Sequence, residues 1–344
     1  MKLKEILTEA IDVSGLAVAI YTQLPQLLDK RARQAAAYWL SRGEKENPSD
    51  PVQGAYDAIK HDSNNGMFHP GYSFKNRATD ELRKILQNYL DKHVKDNKIR
   101  IDVTKGTKTG KGRKKSFLRT GVEGTEQSVS DFQIQFLTDT GDVLGYYRLG
   151  RAFVQVPNVQ WEDLWHEFFG EYLSGNDTDH VFREFIQRYM STTVHELTHL
   201  VNDIIATTNS NKAFLKKGQT YYQEKAKKFT DDIFRKISSN LFHLSRLVEV
   251  QAIAAEIAWE SVQTIFASRF SWTTIDDVLD DLKQGYYSDT LYRHYSYIEA
   301  GREHFKDQPG KMKQLERLWK ALLKAVIENI QQYREHAETY RNRI

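Results

Sequence analysis

The chain has 344 residues, 40% of them hydrophobic and 28% charged, with 6 Trp, 18 Tyr and 17 Phe, which is enough apolar material for a packed core and excludes global disorder. A formal charge of +3 is too small at this length to make the whole molecule a binder of nucleic acid or of an anionic membrane, so any electrostatic partner must be local. Cysteine is absent, which removes disulfides, thiolate metal sites and cysteine nucleophiles together and leaves imidazole and carboxylate as the strong metal ligands.

At the start of the chain Glu5, Glu9 and Asp12 interrupt a weakly apolar stretch, so no signal peptide is expected there. No apolar run approaches the ~20 residues of a membrane helix. The expectation is a cytoplasmic protein with no membrane partner, and a virion-associated protein would carry the same marks. Lys2 to Arg42 has the pattern of a helix, broken between Gly43 and Pro51, and Leu82, Ile85, Leu86, Tyr89 and Leu90 continue at helical spacing up to Val94. Ile99, Ile101 and Val103 then alternate with polar residues, the period of a strand. The change of period divides the chain into an N-terminal helical annex, 1–98, and a second region, 99–344.

Thr104 to Thr120 holds Lys105, Lys108, Lys111, Arg113, Lys114, Lys115 and Arg119 with three glycines and no acid, which predicts a mobile basic loop. Phe132, Ile134 and Phe136 alternate with Asp131, Gln133 and Gln135; a turn follows at Asp139 to Asp142, then a second alternating run from Arg151 to Val156. These segments predict a small antiparallel sheet within 99–157. The remainder, 158–344, is helical in pattern: Asp179 to Thr207, Lys212 to Ser239, Leu241 to Ser268, Thr274 to Lys283, Asp289 to Phe305 and Lys311 to Tyr340.

Within the first of these helices stands His195-Glu196-Leu197-Thr198-His199. Histidines four apart lie on one helical face, so both imidazoles can reach one cation. A catalytic zinc takes three N or O donors from the protein and leaves a fourth position for water, and this pair supplies two of the three. Glu196 is placed to take a proton from that water. The flanking Val194, Leu197, Leu200 and Val201 are apolar, as a helix crossing a core requires, and a buried glutamate without a partner there would be costly.

With this motif the sequence resembles the zincin metallopeptidases and, more loosely, zincin-like peptidases predicted in phage genomes. The resemblance implies an α+β, predominantly helical zincin-like fold with a small antiparallel sheet before the active-site helix, a Zn2+ cofactor, and a peptide or protein substrate. The metzincin extension is absent, since Asn202 and Ile205 occupy its glycine and ligand positions. In the gluzincin branch a third ligand comes from a glutamate on a later buried helix. Leu241 to Glu260, apolar nearly all round, fits such a helix and carries Glu249 and Glu256 on one side. Glu249, followed by small Ala252, is the favoured ligand and Glu256 its rival; Ile253 stands where thermolysin-like members carry an aspartate. Both glutamates could instead be structural ion-pair partners, for instance of Arg246.

Asp203, four residues past His199, is a candidate to orient an imidazole, and Tyr221, Tyr222, His243, Tyr292 and His294 are candidate donors to an oxyanion. The expected function is therefore zinc-dependent peptide hydrolysis, with His195, His199 and Glu249 on the metal and Glu196 as general base. The alternative is an inactive structural or nucleic-acid-associated protein that binds phosphates through Lys105 to Arg119.

Overall fold

The computed structural model describes residues 13–64, 70–94, 99–105, 116–122, 133–137, 145–148, 151–156, 158–209, 247–267 and 273–341. These are predominantly helical. Helix α1 (Val13–Glu46) presents Leu16, Ile20, Leu24 and Leu28 at intervals of one turn, all buried, with Ala32 and Ala36 extending the stripe. It packs on α2 (Pro51–Asn64), on α3 (Pro70–Val94) and on the later helix that carries the histidines. The corner between α1 and α2 is built for close approach. Asp50 accepts the Gln53 amide at 3.0 Å ahead of Pro51, a capped start with proline at the first helical position. A Cβ on Gly43 would collide with the backbone of Pro51 and Ala55, and one on Gly54 with the carbonyl of Gly43.

Strands β1 (Ile99–Lys105) and β2 (Ser116–Val122) form an antiparallel pair in register from Ile99 opposite Val122 to Lys105 opposite Ser116. Two ends of the expected basic loop, Lys105 and Arg119, are thus strand residues; Lys108, Lys111, Arg113, Lys114 and Lys115 lie outside the described residues. Strands β3 (Gln133–Leu137), β4 (Gly145–Arg148) and β5 (Arg151–Gln155) form a second sheet in the order β3-β5-β4. This sheet is mixed, which corrects the expectation of an antiparallel one. β4 is antiparallel to β5, but β3 runs parallel to it. Alternating side chains indicate a strand without its direction, and the β4–β5 reversal turns the chain back to run alongside β3 in the same sense.

Helix α4 (Asn158–Leu173) follows, inside the stretch expected to be helical but without bounds of its own in that expectation. Its Trp161, Leu164, Trp165, Phe168 and Phe169 are all buried and recur at helical spacing. Then come α5 (Asp179–Asn209), α6 (Leu247–Ala267), α7 (Ile275–Gln284), α8 (Asp289–His304) and α9 (Pro309–Arg341). The expected helix from Lys212 to Ser239 lies outside the described residues, as does the turn at Asp139 to Asp142. α7 opens on a capping box between Thr274 and Asp277 and closes on Gly285 at φ 88°, where the left-handed backbone favours glycine. One continuous cluster of buried side chains runs from Leu16 of α1 through β5, α4, α5 and α6 to Ala337 of α9. α1 is also tied to the turn before α5 by polar contacts: Arg33 donates to the Thr178 hydroxyl at 2.6 Å, and that hydroxyl donates to Asp29. Among the described residues no helix is long and apolar enough to cross a membrane.

Candidate metal centre

α5 crosses the core because Phe182, Phe185, Ile186, Tyr189, Met190, Val194, Leu197, Leu200 and Val201 bury nearly the whole of its girth. Two threonines on it bond back within the helix: Thr193 and Thr198 donate to the Tyr189 and Val194 carbonyls, each at 2.8 Å. His195 and His199 share one face, their rings nearly perpendicular at 83° with centroids 4.8 Å apart. α6 packs against this face. Asn202 donates to Gln251 at 3.3 Å one turn past the histidines, and Glu249, 4% exposed, stands opposite them.

Three donor atoms converge. His195 Nε2 and His199 Nε2 are 3.2 Å apart, and Glu249 Oε2 lies 3.6 Å from the first and 3.4 Å from the second. A tetrahedral zinc bound to such donors at ~2.0–2.1 Å would separate any two of them by roughly 3.3–3.4 Å, so the triangle has the dimensions of one face of that tetrahedron. Two imidazole nitrogens and a carboxylate oxygen this close in a buried site require a proton or a cation among them, and His195, His199 and Glu249 form a group suited to hold a metal ion. The sequence left Glu249 and Glu256 as alternatives, and the structure separates them. Glu249 completes the triangle, whereas Glu256 Oε2 lies 2.9 Å from Nδ1, the opposite nitrogen of His195.

Glu196 is 4% exposed, and its Oε2 has no hydrogen-bond partner among the described residues. Its side chain is pressed against β4: a Cβ built on Gly145 would come within 2.9 Å of Glu196 Oε1, 3.0 Å of its Cγ and 2.6 Å of Thr192 Cγ2. Burial pushes the Glu196 carboxyl up to about 8; charge on His195 pulls it down, while Glu249 and Glu256 push it further up. Burial opposes charge on His195, but hydrogen bonds to Glu249 and Glu256 outweigh it and carry the imidazole to about 10. A divalent ion in the triangle works against both shifts, since it competes with the proton on His195 and favours the ionised form of Glu196.

Two of the remaining candidates have side chains among the described residues. Tyr292 is 64% exposed on α8, and His294 is half-buried there, its ring 5.7 Å from that of Tyr297. The side chain of Asp203 and all of Tyr221, Tyr222, His243 and Arg246 lie outside the described residues. Gly145 is the residue that sequence reasoning passed over. The signal for its strand was the strand-forming pair Tyr146 and Tyr147 behind a glycine, but nothing local says that this glycine faces Glu196. No family model, curated protein or solved structure matches the chain.

Proposed function

We propose that the chain is a zinc-dependent hydrolase of peptide bonds with a zincin-like arrangement of its site. The observation that carries this reading is the triangle of His195 Nε2, His199 Nε2 and Glu249 Oε2, with a buried carboxylate, Glu196, one residue from the first ligand. A histidine pair one turn apart on α5 and a glutamate on α6 form a donor set that matches zinc in number, chemistry and spacing. His195, His199 and Glu249 would hold the zinc, which would supply a Lewis acid able to activate a water at neutral pH and polarise a carbonyl.

The protein's own groups supply the rest. Glu196, buried and next to His195 in sequence, takes the proton of the attacking water and hands it to the departing amine, a duty for a carboxylate that a bound cation keeps ionised. β4 confines it on one side at Gly145, so the carboxylate has little room to swing. The apolar packing of α5 and α6 keeps bulk water from the buried side of the triangle, which strengthens every charge interaction inside it. The test combines metal analysis of the purified chain with digestion of an unbiased peptide library, for wild type and Glu196→Gln in parallel. Zinc at about one per chain with cleavage by wild type only supports the reading. Stoichiometric zinc without any cleavage would overturn the hydrolase and leave a structural metal.

A further inference from the structure

Two carboxylates on α6 meet one imidazole from its two ends. Glu249 Oε2 is 3.6 Å from His195 Nε2, and Glu256 Oε2 is 2.9 Å from His195 Nδ1. Seven residues on one helix are about two turns, ~10 Å of rise, which matches two acids spanning a ring with its helix partner rather than two acids sharing one ion. Their exposures differ in the same sense: the side chain of Glu249 is 5% exposed and that of Glu256 is 22%. A neutral imidazole carries one N–H and one lone pair, and an ionised carboxylate only accepts. With Glu256 at Nδ1, the proton belongs on Nδ1 and the lone pair on Nε2, the atom that faces His199 and Glu249. The χ2 torsion of histidine is broad and roughly two-fold, so without this contact the ring is free to present either edge.

We propose that Glu256 is a positioning residue of the metal site, accepting the Nδ1–H of His195 and so holding Nε2 toward the triangle. This rests on the metal reading above, and the experiment separates the two. Zinc affinity is measured on the full chain by competition with a chromophoric chelator, and Co2+ is substituted to read the ligand field. Glu256→Ala lowers zinc affinity about 10- to 100-fold and shifts the Co2+ bands. Glu256→Gln, whose carbonyl accepts the same N–H, recovers part of the affinity. Glu260→Gln is the control: it removes a charge one turn along the same helix, where Glu260 accepts the Thr290 hydroxyl at 2.6 Å, and it binds zinc within about twofold of wild type. If the alanine variant fails to fold, Glu256→Leu keeps side-chain bulk and helix propensity without an acceptor and must show the same loss. Wild-type affinity and unchanged Co2+ bands in the Ala or Leu variant overturn the role of Glu256 alone. A wild-type chain that binds no zinc overturns the metal site and this assignment together.

Discussion

Glu196 follows His195 on α5 and is therefore rotated by roughly 100° about the helix axis from it. That offset keeps its carboxylate out of the donor triangle while leaving it buried and within electrostatic reach of His195 and Glu249. Glu196→Gln should retain zinc and lose hydrolysis by on the order of 100-fold or more, because the amide keeps the shape but cannot carry the proton. A variant that stays fully active removes Glu196 from the base role. The opposite wall makes a second prediction. In Gly145→Ala the new methyl meets Thr192 and both Oε1 and Cγ of Glu196. Displacing a reacting group by about 1 Å costs on the order of 100-fold in rate, so kcat should fall by up to that factor while zinc affinity stays within about twofold. Equal loss of zinc would mean that β4 supports the ligands rather than the base. The HELTH motif was legible in sequence because a four-residue spacing fixes a helical face whatever surrounds it. The choice between Glu249 and Glu256 was not, since both lie on one side of α6 and only the axial placement of α6 against α5 decides which reaches the triangle.

At the scale of elements, Trp259 ties α6 to α1 and α9. It is fully buried on α6, with its ring 5.2 Å from Tyr21 of α1, 6.0 Å from Phe266 and 5.9 Å from Tyr333 of α9. One side chain thus locks three helices together, through edge-on and stacked contacts that add to its burial. Trp259→Ala should destabilise the fold by about 3–5 kcal/mol, read as a lower denaturant midpoint with an unchanged slope. A loss below about 1 kcal/mol would show that the neighbours close over the gap. The helices were the legible part of the architecture wherever an apolar stripe ran for three turns or more, as in α1, α5, α6 and α9. α4 carried the same signal in Trp161, Leu164, Trp165 and Phe168 and falls within the stretch expected to be helical, though its bounds were not singled out. The parallel pairing of β3 with β5 had no local signature at all, because direction in a sheet is set by which strands the chain brings together.

Across the whole molecule, the donor triangle joins two helices that are distant in sequence yet share one core. His195 and His199 belong to α5 and Glu249 to α6, and the only other polar link between these helices among the described residues outside the site is the 3.3 Å contact of Asn202 with Gln251. An ion that binds all three donors binds the folded chain and has no equivalent site in the unfolded one, so occupancy must stabilise the fold. At a free zinc concentration 1,000-fold above Kd the gain is about 4 kcal/mol, and in a chain of this length each kcal/mol moves Tm by about 1–2 °C. Zinc should therefore raise Tm of the chelator-treated protein by roughly 5 °C, and renewed chelation should reverse it. His199→Ala removes one corner of the triangle and should melt at the same temperature with or without zinc. If instead wild type takes up zinc with no change in Tm, the ion sits on the surface or binds the unfolded chain equally well, and the triangle between α5 and α6 is not where it is held.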